Sequence, residues 1–140
     1  GDDRRQRQMC IRDRINLDME KFIFTNGSAE HAENILSHLG VYDLFGRDKV
    51  FDIQDAGYVP KPEAKTFDLM LNKFKINPKE TIYIEDIAKN LGIGHERGCY
   101  TVWLINDEHF GKIDSNKDYI SHKIENLSLF LREIRLLKNK

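Results

Sequence analysis

An α/β fold with a mostly parallel sheet is predicted for this chain by three observations. Stretches of strand character alternate with stretches of helical periodicity from Lys21 onward. The strand-like runs are short and apolar, as strands buried on both faces must be. The polar residues of chemical interest collect at the ends of those runs or in the loops leaving them. Alternating strands and helices imply a sheet with helices on both faces, and ligands of such sheets bind beyond the carboxyl ends of the strands.

The elements follow in order. Phe22-Ile23-Phe24-Thr25 is apolar, ends at Asn26-Gly27 and reads as the first strand. Ala32, Ile35, Leu36 and Leu39 then fall at i, i+3, i+4 and i+7, one face of a helix, with Ser28 as N-cap and Gly40 just past the end. Val50 to Asp55 is a second short strand, followed by a loop through Gly57 to Pro60. Pro62 is placed in the first turn of a helix on which Phe67, Met70, Leu71 and Phe74 repeat the helical spacing. Asn77-Pro78 is a turn, and Thr81 to Ile84 is the third strand, leading directly into Glu85-Asp86. A short helix covers Ala88 to Arg97 and stops at Gly98, Tyr100 to Ile105 is the fourth strand, and after a charged loop a last helix shares one face among Leu127, Phe130, Leu131 and Ile134.

A chain of 140 residues is long enough for one domain with a core of its own. The net charge of −1 gives no bulk attraction for nucleic acid or membrane, and no apolar run approaches the roughly 18 residues of a membrane span. Cys10 and Cys99 are far apart and form no metal-binding pair, which together with the lack of a recognisable signal peptide predicts a reduced, cytoplasmic setting. His31, His38, His95, His109 and His122 show no zinc spacing, and His31 and His38 are expected to face solvent. Trp103 reads as strand core, and Cys99 as a small buried residue rather than a nucleophile.

The first residues differ in composition. Five of the nine arginines (Arg4, Arg5, Arg7, Arg12, Arg14) fall in the first fourteen positions, without helical or strand periodicity. A basic arm for anions and a plain disordered leader are both readings of such a run. The one favoured here is that residues 1–20 are a leader, its first part foreign to the protein, and that residues 21–140 are the folded part.

Three constellations can carry chemistry. In Thr25-Asn26-Gly27-Ser28 a hydroxyl, an amide and backbone N–H groups can converge on an anion near a helix N-terminus; the same residues also make a plain turn with a helix cap. Lys61, before Pro62 at the opening of a helix, can neutralise a phosphate or a carboxylate, or be an ordinary surface lysine. Glu85 and Asp86 end an apolar strand, where adjacent acids repel unless a cation or donors compensate. They suit a hard dication such as Mg2+, or the N-terminus of a helix.

Their order, an apolar strand ending in TNG, then a KP loop, then an apolar strand ending in paired acids, resembles motifs two, three and four of the haloacid dehalogenase-like superfamily. The resemblance covers Lys21 to Ile134. The segments FIFTNGSAEHAENILSHLG, YVPKPEAKTFD, YIEDIAKNLGIGHERG and TVWLIN resemble its pyrimidine 5′-nucleotidase branch, particularly the bacterial members. The resemblance implies a Rossmann-like three-layer α/β/α core and hydrolysis of a phosphomonoester, a nucleoside monophosphate, through an aspartyl-phosphate with Mg2+. It implies that Thr25 and the Asn26 backbone hold the phosphoryl oxygens and that Lys61 orients the nucleophile and offsets developing charge. It makes Asp86 a direct metal ligand, Glu85 a direct or water-mediated one, and Asn90 a possible supporting partner.

The sequence departs from that pattern in one large respect. The first motif, DxDxT, is missing: Asp2, Asp3, Asp13 and Asp18 do not form it, and Asp18 lies only seven residues before Thr25, too few for a crossover of about 10–12 residues. The helical cap that in this branch stands between motifs one and two is missing as well. The expectation is therefore a core lacking its nucleophile strand and cap, inactive and poorly folding by itself, because the strands on either side of the missing one would expose unpaired edges. A sugar-phosphate phosphatase or phosphoglucomutase, and a non-catalytic phospho-ligand or protein-binding module, are the alternatives. Oligomeric state is not legible.

Overall fold

The computed structural model describes residues 20–38, 45 and 47–138 of the chain. The predicted leader up to Met19, with Cys10, and the predicted helix-face and helix-end residues Leu39 and Gly40 lie outside the described residues. The fold is α/β, with every strand pair parallel. It divides into two compact units, one reaching Tyr58 and taken up again from Leu127, the other Val59–Asn126.

In the first unit, β1 (Ile23–Phe24) pairs with β2 (Val50–Phe51), Ile23 opposite Val50 and Phe24 opposite Phe51. The Phe24 and Phe51 rings meet edge to face at 5.6 Å, the favoured arrangement for two quadrupoles. Between them in sequence runs α1 (Ala29–His38), whose small residues Ala29 and Ala32 let it pack closely on Val50 and Ile23. His31 and His38 are exposed on it, as expected. The second strand is shorter than predicted. Asp52 and Asp55 exchange bonds, each carboxylate accepting the other's backbone N–H at 3.0 and 2.9 Å, and this closes a turn where the sequence predicts strand. The last helix, α5 (Leu127–Lys138), belongs to this unit and keeps the predicted face: Leu127, Phe130, Leu131 and Ile134 are half-buried, while Leu129, Arg132 and Glu133 are exposed.

In the second unit, α2 (Ala64–Phe74) buries Thr66, Phe67 and Met70. It begins at Ala64 rather than at Pro62. A turn closed by the Glu63 N–H on Pro60 O takes up the proline, and Glu63 becomes the N-cap position. The helix ends at Lys75, in left-handed conformation, where the Ile76 N–H returns to Leu71 O at 2.9 Å. Asn77 then caps a 3-10 turn, Pro78–Glu80, its side chain accepting the Lys79 N–H.

The sheet of this unit is β3 (Ile82–Glu85), β4 (Tyr100–Leu104) and β5 (His122–Ile124), in that order. A 3-10 turn (Ala88–Asn90) and α3 (Leu91–Glu96) connect β3 to β4. Gly98, at φ 104°, lets the chain reverse after α3 while the Cys99 N–H bonds Gly94 O. The short α4 (His109–Lys112) and β5 fall in the stretch predicted only as a charged loop. Of β5 only Ile124 is buried, so the strand has no apolar period to read; the Thr101 hydroxyl anchors its approach by donating to Tyr119 O and accepting the Ser121 N–H.

The sequence predicts a parallel sheet without its first strand, which would stand between the strand ending at Thr25 and the one ending at Asp86. Among the described residues the strands form a two-stranded and a three-stranded parallel sheet, and no described strand pairs with members of both. No helix among the described residues is long and apolar enough to cross a membrane.

Candidate active site

In the second unit the sequence-predicted groups Lys61, Glu85 and Asp86 meet at the carboxyl end of β3. Lys61 Nζ donates to Glu85 Oε2 at 2.7 Å, and the two side chains are only 7% and 8% exposed. The lysine therefore opposes a carboxylate, the second of the two partners the sequence allowed, and the surface-lysine reading is excluded by its burial. Twenty-four residues separate the pair, so it is made by the fold and not by local sequence.

Glu85 points into the unit because alternate residues of β3 face alike: Tyr83 and Glu85 are buried, and Ile82 and Ile84 are not. Tyr83, also buried, donates its hydroxyl to the same Glu85 oxygen at 3.2 Å. Burial raises the Glu85 carboxyl above its ordinary range even with the ammonium beside it, and the neighbouring Asp86 adds to the rise. Burial, then the Glu85 charge, push the Tyr83 phenol well up, so it stays a donor.

Asp86, next in sequence, is exposed, and its carboxylate lies close enough to Glu85 to interact with it. Its backbone is fixed from β4, where the buried Trp103 donates its indole N–H to Asp86 O at 2.9 Å. The predicted core role of Trp103 is thus joined by a polar one. Asn90, 1% exposed, carries an Oδ1 with no hydrogen-bond partner among the described residues, the remaining sequence-predicted polar group of this corner. Cys99 is buried, and burial lifts its thiol to about 11, which suits packing and not nucleophilic attack.

The donors able to hold a cation here are oxygens, the carboxylates of Glu85 and Asp86. Among the described residues no three His, Cys, Asp or Glu side chains converge as a metal cage. Two adjacent carboxylates are a donor set that suits Mg2+, which keeps several waters and takes one or two carboxylates together with substrate oxygens.

The first unit holds Thr25 and Asn26, in the loop from β1 to α1. The Thr25 hydroxyl accepts the Gly27 N–H at 3.0 Å, which leaves its own proton to donate. Ser28 caps α1 as predicted, its hydroxyl accepting the His31 N–H at 3.1 Å. Asn26 is exposed. The sequence reading missed Asp52: this buried carboxylate accepts the Ala29 N–H at 3.0 Å, so a protein anion already stands at the first N–H of α1. The signal was an acid directly after an apolar strand, the same pattern that singled out Glu85 and Asp86.

A model of the haloacid dehalogenase-like hydrolases matches residues 11–96, a span that includes Thr25, Asn26, Lys61, Glu85 and Asp86. No curated protein matches the chain. With the parallel α/β fold and more than half of its length matched, the chain belongs to the haloacid dehalogenase-like hydrolase family.

Proposed function

We propose that these residues serve a Mg2+-dependent phosphomonoesterase acting on nucleoside 5′-monophosphates, pyrimidine nucleotides foremost. The observation that carries this reading is the buried Lys61–Glu85 pair beside an exposed Asp86 at the end of a parallel strand. An isolated buried ion pair adds little to stability, because desolvation offsets its attraction. Chemistry that needs a fixed ammonium next to a cation site is a reason to keep one. The nucleotide preference rests on the resemblance of the four segments quoted above to pyrimidine 5′-nucleotidases.

In this reading the nucleophilic aspartate and the cap belong to sequence beyond these 140 residues, and the chain taken alone turns over no substrate. The aspartate attacks phosphorus, the bond from phosphorus to the nucleoside oxygen breaks, and the departing oxygen takes a proton from a general acid. Water then cleaves the aspartyl-phosphate. The Lys61 ammonium offsets the charge that builds on the phosphoryl oxygens; for the first unit, taken by itself, the resemblance gives the Thr25 hydroxyl and the Asn26 backbone N–H the part of phosphoryl donors. Asp86 and Glu85 would hold Mg2+, whose bound charge neutralises the phosphoryl group.

The test is phosphate release by the protein expressed from its extended reading frame, with UMP, CMP, purine nucleotides and sugar phosphates, in Mg2+ and in chelator. The expected result is Mg2+-dependent release from UMP and CMP, lost in Asp86→Ala and absent from residues 1–140 alone. Release confined to sugar phosphates would replace the substrate class. An extended protein inert toward the whole panel would favour a non-catalytic binding module.

A further inference from the structure

Lys61 and Glu85 do not account for the whole buried cluster. Tyr83 lies two residues before Glu85 on the same face of β3, and its ring is held on two sides. The Phe67 ring packs on it at 5.4 Å, and the backbone of Gly94 comes so close that a Cβ there would stand 2.4 Å from Tyr83 Cδ2. A ring pinned in this way has no freedom to swing its hydroxyl elsewhere. That hydroxyl and Lys61 Nζ both bond Glu85 Oε2, at 3.2 and 2.7 Å.

We propose that Tyr83 is a positioning residue, which clamps Glu85 Oε2 against Lys61 and so leaves Glu85 Oε1 as the oxygen offered to a cation beside Asp86. The assignment rests on the phosphatase reading of the site, and adds to it a residue that neither touches substrate nor holds the cation. A glutamate side chain has three rotatable bonds and would otherwise share its two oxygens between lysine and cation. With Oε2 held by two donors, one charged and one neutral, the carboxylate plane is fixed and the ammonium keeps its place. The close approach at Gly94 then has a purpose in the same argument, since it is part of what pins the ring.

Tyr83→Phe removes the hydroxyl and keeps the ring, so the packing against Phe67 and Gly94 survives. Trp103, the single tryptophan, bonds Asp86 O and reports on the cation corner by its emission. The experiment is a Mg2+ titration of that emission in the 140-residue chain and in Tyr83→Phe, with the 15N resonance of the Lys61 ammonium followed in both. Thr81→Val, which loses a hydroxyl bond to Asn77 O on the far side of β3's start, is the control for plain destabilisation. The expected result is a Mg2+ midpoint raised about tenfold or more in Tyr83→Phe, the worth of one hydrogen bond to a charged acceptor. The Lys61 resonance shifts with it, and neither changes in Thr81→Val. An unchanged midpoint and an unchanged Lys61 resonance in Tyr83→Phe would overturn the assignment. A parent chain whose emission ignores Mg2+ while its Lys61 resonance matches a buried ion pair would overturn the metal reading itself, and the Tyr83 role with it.

Discussion

The loop at Thr25 and the corner at Lys61 use polar groups in opposite ways. Around Thr25 the partners are near in sequence: Gly27 N–H on the Thr25 hydroxyl, His31 N–H on Ser28, Asp52 and Asp55 on each other. Asp52 to Ala29 is a long-range side-chain bond there, and backbone bonds also reach across, Thr25 N–H to Phe51 O and Ile53 N–H to Gly27 O. These bonds shape a turn and start a helix, and solvent reaches most of them. Around Lys61 the partners come from distant segments, are buried, and bond side chain to side chain. The first arrangement follows from local chain chemistry. The second costs desolvation and exists only once the fold is complete, which is why the chemistry is assigned there.

Variants can break this comparison. The largest effect is expected for Lys61→Ala, which strands a buried carboxylate: about 3–5 kcal/mol of stability at neutral pH, read by urea unfolding. Glu85, its carboxyl already raised, takes up a proton more readily in that variant, so the loss shrinks as pH falls. Gly94→Ala comes next. Its Cβ would meet the pinned Tyr83 ring, an overpacking of about 1–3 kcal/mol against a helix-propensity gain of at most about 1 kcal/mol, measured as a net drop in the same unfolding curve.

In the first unit Asp52→Ala removes the cap on Ala29 and the turn to Asp55, at about 1–2 kcal/mol. Protection of the Ala29 amide from hydrogen exchange should fall with it. A cost as large as that of Lys61→Ala would erase the distinction between the two regions. The smallest effect is at Asp68–Arg97, a two-bond ion pair between α2 and α3 whose members are half and one-third exposed. The Arg97 hydrogen bonds hold the Asp68 carboxyl below its usual value, so whatever stability the pair gives is present above about pH 4 and lost as pH falls further. Arg97→Gln should leave Tm almost unmoved at pH 7 and flatten the acid limb, checked by melts from pH 2 to 7.

The sequence made the alternation of elements legible, because apolar periodicity is a local signal: α1, α2, β3, β4 and α5 stand where the spacing put them. It also made Lys61, Glu85 and Asp86 candidates, because charge at the end of an apolar strand is conspicuous. What it did not show was which charge meets which. The Lys61–Glu85 contact and the Tyr83 hydroxyl depend on the packing of α2 and α3 against β3, and Tyr83 looked like one more apolar strand residue. Strand β5 escaped for the converse reason, a single buried isoleucine among polar neighbours. The end of β2 escaped because Asp52 and Asp55 close a turn that apolar counting reads as strand.

On the proposed function, the buried cluster of Lys61, Tyr83 and Glu85 serves a cation-dependent reaction and not stability. The direct test replaces all of it with apolar side chains, Lys61→Met, Tyr83→Phe and Glu85→Leu together, and titrates Trp103 emission with Mg2+. Such a replacement of a buried ionic cluster leaves stability equal or higher. The triple variant should fold, with a Mg2+ midpoint weakened by about tenfold or more, the worth of roughly 1.4 kcal/mol of lost binding. A folded triple variant that answers Mg2+ with the parent's midpoint would contradict it.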